Sequence, residues 1–117
     1  MLTIKISCLP ESSEEELRAL FTHIKDVVCS ITELNIKDEN GVMILFPSDM
    51  MQYGLGTSIL IEVTRFRTDS DFHKDREMLA KKLVSIVSSK YIAAQVFCYV
   101  YGHYNGQYTE PFFFKNR

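Results

Sequence analysis

Three cysteines, Cys8, Cys29 and Cys98, are odd in number and widely spaced, and no CxxC pair occurs. This excludes a disulfide framework and a zinc knuckle. The expected role of the three is that of small buried hydrophobes in a reducing cytosol. A charge excess of one sign is also missing. The formal net charge is −2, so no basic field gathers phosphates, and no nucleic-acid partner is expected. No apolar run approaches the ~20 residues that span a bilayer. The start lacks the basic stretch and apolar segment of a secretory leader. The expectation is a soluble, cytoplasmic protein without a membrane partner. A phosphate-cradling glycine loop, an HExxH helix and a GxSxG turn are absent as well. His23 and His73 have no partners at ligand spacing, so no metal and no other cofactor is expected.

What is present suits one modest domain spanning residues 1–117. A chain of this size buries roughly two-thirds of the surface its unfolded form exposes. The apolar share of 46% and charged share of 24% are those of an ordinary globular protein. In "LTIKISC", Leu2, Ile4, Ile6 and Cys8 alternate with Thr3, Lys5 and Ser7, the period of a half-buried strand. A helix follows. Ser13 and Glu16 fit a capping box, and Glu14–Glu16 place negative charge in the first turn, where the helix dipole favours it. Leu17, Leu20, Phe21, Ile24, Val27, Val28 and Ile31 make its apolar stripe. Leu34 and Ile36 suggest a short strand, residues 38–41 a turn, and Val42–Phe46 another strand. Residues 47–57 read as an irregular link.

The second half replays the first. Ile59, Ile61 and Val63 share a face. Asp69, Ser70 or Asp71 can cap a helix whose stripe is Phe72, Leu79, Leu83, Ile86 and Val87. "YIAAQVFCYVY" is nearly continuous in apolar character, as a central strand would be. Asn105-Gly106 marks a turn into a hairpin through "QYTEPFFF". A shift of 57 places Leu2, Ile4 and Ile6 on Ile59, Ile61 and Val63. The pseudo-repeats are 2–46 and 58–103. The expected fold is α+β: two tandem β-α-β units, a four-stranded sheet, both helices on one face, and a short C-terminal hairpin. The other face would carry Thr3, Lys5 and Ser7 together with Leu60, Phe66 and one side of Phe97–Tyr101. It is too apolar to be fully solvated, which points to cover by another subunit.

Two clusters can carry chemistry. Arg65 and Arg67 continue the face of Ile61 and Val63 and can grip a carboxylate. Their bland role is snorkelling or pairing with Asp69, Asp71 or Asp75. Tyr99, Tyr101 and His103 alternate onto one face and can line a pocket for a planar ligand, with His103 moving a proton. Interface packing is their bland role. Cys98 and His103 are five apart and face opposite ways on a straight strand, which disfavours a Cys-His nucleophile.

The segments "ILIEVTRF", followed by an acidic capped helix, and the late "YGHYNGQY" resemble the tautomerase superfamily, the fold of oxalocrotonate tautomerase and macrophage migration inhibitory factor. The likeness is greatest to its bacterial branch with both β-α-β units in one chain, and covers all but residues 38–57. The resemblance implies a homotrimer and a small carboxylate ligand gripped by arginines. It also implies a proline after the initiator methionine, whose secondary amine has a lowered pKa and acts as base. Here that position is Leu2. A bulky residue there retains Met1, and the family's proline mechanism does not carry over. Three functions stay open. One is a non-catalytic oligomeric scaffold that binds small molecules or proteins. The second is an isomerase of small keto-enol carboxylic acids. The third is an unrelated ferredoxin-like metabolite-binding regulatory domain.

Overall fold

The computed structural model describes residues 2–31, 41–47, 58–67, 72–104, 107–108 and 111–116, and the side chains of 65–67, 72–75, 103–104 and 107–108 lie outside that description. Along the chain run β1 (Leu2–Ser7), α1 (Glu14–Ser30), β2 (Val42–Leu45), β3 (Ser58–Arg67), α2 (Phe72–Lys90), β4 (Gln95–Tyr104), β5 (Gln107–Tyr108) and β6 (Phe112–Lys115). The suggested strand at Leu34 and Ile36, the link through residues 48–57 and the cap at 69–71 lie outside the described residues.

The capping box at α1 is present in full. Ser13 Oγ accepts from the Glu16 N–H at 3.1 Å, and the Ser13 N–H donates to Glu16 Oε1 at 3.2 Å. Replacing Ser13 by alanine is expected to cost about 1 kcal/mol in urea unfolding. The backbone and side-chain bonds from Ser13, then the charge of Lys90, hold the Glu16 carboxyl below its ordinary pKa. A carboxyl whose folded pKa lies below its unfolded one stabilises fully above the usual carboxylate range, and the contribution is lost as pH falls through the lowered value. The stability gap between wild type and Glu16→Gln should therefore be present at neutral pH and close in acid.

Leu20, Ile24, Val28 and Ile31 are buried, while Leu17, Phe21 and Val27 flank them half-buried. In α2, Leu79, Ala80, Leu83, Val84, Ile86 and Val87 are buried. Both stripes join one cluster with Leu2, Ile4, Ile6, Ile59, Ile61, Val63, Val96, Cys98 and Val100. The helices therefore cover the same face of the sheet. Burial pushes the Cys98 thiol up to about 12, so it stays protonated and inert. Cys8 and Cys29 are only half-buried, and all three thiols are free. The expected alternation stops short of Cys8, whose φ of 67° turns the chain out of β1 through the left-handed region. A side chain there costs roughly 1–2 kcal/mol.

The sheet has the order β2-β1-β3-β4, with β5 and β6 both added to the outer side of β4. β1 and β2 are parallel neighbours, as are β3 and β4, and the central pair β1–β3 is antiparallel. A ferredoxin-like domain is a split β-α-β, with a strand inserted inside each crossover. Here each crossover joins adjacent strands, which overturns that alternative. The repeat is visible in the register: Ile4 lies opposite Val63 and Ile6 opposite Ile61. Moving either pair by the 57-residue offset gives the other, as a two-fold axis between β1 and β3 requires. The C-terminal hairpin does more than turn back. After β5, β6 runs along β4 from Val100–Phe112 to Phe97–Lys115. Phe112 and Phe114 pack against the core, and Asn116 closes the edge by accepting from the Val96 N–H at 3.0 Å and donating to the Ala94 carbonyl at 3.2 Å.

Candidate functional site

The register gathers the candidate residues at one end of the sheet. β3 and β4 finish there side by side, with Phe66 opposite Gly102 and Arg67 opposite His103. β1 begins at the same end, since Thr3 lies opposite Thr64. Leu2, Arg65, Arg67, Tyr101 and His103 thus share this end, and Tyr99 sits one step further in. The ends of adjacent parallel strands are a common place for ligands, because backbone and side chains diverge there into open space.

One detail of β3 departs from the alternation. The pairing passes from Val63 opposite Val100 to Phe66 opposite Gly102, so three steps on β3 match two on β4. This is a bulge, which carries one extra residue and re-aims the side chains beyond it. Strict alternation of the β3 register with β4 therefore ends at Val63. A bulge depends on the partner strand, and one strand's sequence does not show it. The side chains of Arg65, Arg67 and His103 are outside the described residues.

Tyr99 and Tyr101 do share a face, turned away from the helices. Their rings stack at 6.3 Å between centroids with an interplanar angle of 23°. Phe113 of β6 extends the row, 4.9 Å from Tyr99 and 6.1 Å from Phe97. The four rings make a ridge along one margin of the open sheet face. At the opposite margin, β2 presents Met43 and Leu45, each 42% exposed. Between the margins the surface is more polar, with Lys5 and Glu62 paired at 3.4 Å across β1 and β3.

Leu2 is a core residue, 5% exposed, opposite Val42 of β2. Met1 lies outside the described residues. One side chain at this end had no place in the sequence pattern. Arg76 is 3% exposed, and its Nη1 donates to the Val100 carbonyl at 3.4 Å. Burial lowers its pKa from the ordinary value. It lies on the helix side of β4, so the strand separates it from the tyrosine rings. The signal was a gap: Arg76 occupies the turn of the α2 stripe between Phe72 and Leu79, where an apolar residue is due. Among the described residues, no group of three His, Cys, Asp or Glu is placed to hold a metal ion, and no helix is long and apolar enough to cross a membrane.

No protein-family model matches the chain, and no curated protein matches its sequence. Among solved structures, the crystal structure of Leishmania major MIF2 is similar at 16% identity, covering 93% of this chain and 97% of that one, with a TM-score of 0.49. That is a likeness of outline, without weight for activity or binding.

Proposed function

We propose that this chain is a tautomerase-like scaffold that assembles as a homotrimer and holds a small carboxylate at the shared end of β1, β3 and β4 without turning it over. The observation that carries this reading is the open sheet face with two apolar margins. The Phe97, Tyr99, Tyr101 and Phe113 ridge lies at one edge, and Met43 and Leu45 lie at the other. Two unlike patches at opposite edges suit a head-to-tail contact, which closes into a ring when the rotation permits. Three copies follow the tautomerase resemblance. Burial of Leu2 supports the absence of turnover, since the position that would hold a basic proline is committed to the core. Light scattering should give three times the 13.5 kDa chain mass, and a thermal-shift screen of small carboxylates should raise the melting temperature without product formation. A monodisperse single chain would end the reading.

A second reading, an isomerase of small keto-enol acids, is favoured by one observation. Arg67 and His103 are register partners at the ends of adjacent parallel strands. In that case Arg67 grips the substrate carboxylate and stabilises the enolate. Ketonisation of a phenylpyruvate-type substrate should then exceed buffer and fall about a hundredfold in Arg67→Ala. A rate equal to buffer with the oligomer intact would leave only the scaffold.

A further inference from the structure

Lys5 and Glu62 stand on the two-fold relation between the units. They are register partners across β1 and β3, and the 57-residue offset carries one onto the other. Each is the other's counterpart in the repeat. On either side of them, Ile4 pairs with Val63 and Ile6 with Ile61. The sheet centre therefore joins two versions of one strand, and the position on the axis meets its own counterpart.

Strands built alike can pair in more than one way. A β1 can meet a β3, as in this fold, or two of a kind from different chains can meet. About the same axis, two β1 strands would set Ile4 against Ile6, and two β3 strands would set Ile61 against Val63. Every one of these arrangements keeps β-branched residues opposite one another, so the apolar pattern accepts them all. The charges do not. Two β1 strands set Lys5 against Lys5, and two β3 strands set Glu62 against Glu62. The mixed pair sets Lys5 against Glu62, with Nζ and Oε1 3.4 Å apart. Leu45 on β2 and Tyr99 on β4 flank them in that row, and neither carries a charge that would relieve a like pair. Both side chains are open to water, 44% and 26% exposed, and such pairs add little to the stability of a fold. Like charges directly opposite on neighbouring strands do destabilise a sheet. What the pair changes most is the difference between the right partner and the wrong one.

We propose that Lys5 and Glu62 are the pairing code of the sheet centre: they admit one first unit with one second unit and reject two of a kind from separate chains. The partner they reject is a second copy of this chain, joined β1 to β1 and β3 to β3. This holds whether or not the chain forms a homotrimer or takes a carboxylate.

Thr3→Cys with Ser7→Cys in the full chain reports the wrong pairing. Two β1 strands about the axis set residue 3 of one chain opposite residue 7 of the other, within disulfide reach. Inside one chain these positions are roughly 13 Å apart along the strand and cannot bridge. In the native register they face Thr64 and Leu60. The reporter is refolded from urea once concentrated and once at high dilution, and both samples are brought to one concentration before mild oxidation. Linked dimer in excess of the dilute sample counts chains that paired wrongly while folding, because contacts between folded copies contribute equally to both. Lys5→Gln with Glu62→Gln should raise that excess at least about threefold. Lys5→Glu with Glu62→Lys should leave it at the level of the original pair. In about 1 M NaCl the original pair should approach the glutamine variant, since exposed charges are screened, and this arm needs no change at either position. An excess equal in the original and glutamine pairs, a raised excess in the exchanged pair, or no response to salt would each overturn the proposal.

Discussion

Tyr99→Asp is expected to convert the proposed homotrimer into single chains of 13.5 kDa, a threefold loss of mass in light scattering. Tyr99 is the middle of the aromatic ridge, stacked on Tyr101 and tilted against Phe113. Within one chain it is only half-buried, so a carboxylate there remains hydrated and the fold survives. Once a neighbouring copy covers the ridge, the same carboxylate must be stripped of water with no cation beside it. Burial of an unpaired charge costs several kcal/mol, more than a modest interface supplies in surplus. Tyr99→Phe keeps the ring and should keep the assembly. Retained mass in the aspartate variant would move the contact off this ridge, and a single-chain wild type would remove it altogether.

Leu83→Ala should lower the unfolding free energy by about 3 kcal/mol. Leu83 is 0% exposed, in the middle of α2 and within the cluster that includes Val63, Val96 and Val100. Truncation removes one methine and two methyl carbons from a fully buried site, and the helix backbone cannot move in to fill the space. The lost transfer energy and the cavity therefore add. A domain of this size holds roughly 5–15 kcal/mol in total, so the melting temperature should fall by about 10 °C or more. The urea midpoint should drop with little change in slope. Lys82→Ala, one residue away but exposed, should stay within about 0.5 kcal/mol of wild type. Equal losses at the two positions would show that burial of Leu83 in the core does not set the cost.

Both helices could be read from the chain because their signals are local. Ser13 and Glu16 are three apart, and Leu20, Ile24, Val28 and Ile31 keep the spacing of one helical face. The repeat was legible too, since Ile4 and Ile61 occupy the same step of two alternating runs. The features that escaped notice depend on a partner distant in sequence. The β6 run Phe112–Phe113–Phe114 shows no alternation because both of its faces are used: Phe112 and Phe114 meet the core, and Phe113 meets Tyr99. The bulge after Val63 exists only relative to β4. Arg76 is an ordinary helix residue until the Val100 carbonyl is placed beside it. The site was partly visible for the same reason. Tyr99 and Tyr101 share a face through simple alternation, whereas Arg67 and His103 are brought level only by the crossover from β3 through α2 to β4.

The two-fold relation between the units also bears on how the chain is made. β1 emerges from the ribosome long before β3, its neighbour on one side, has been synthesised. Until then Ile4 and Ile6 border an unfilled hydrogen-bonding edge. The repeat makes the β1 of another nascent chain a close imitation of the missing β3, since Ile4 and Ile6 match Ile61 and Val63 in step. The same symmetry that closes the sheet centre therefore supplies a ready route to strand exchange between chains translated side by side.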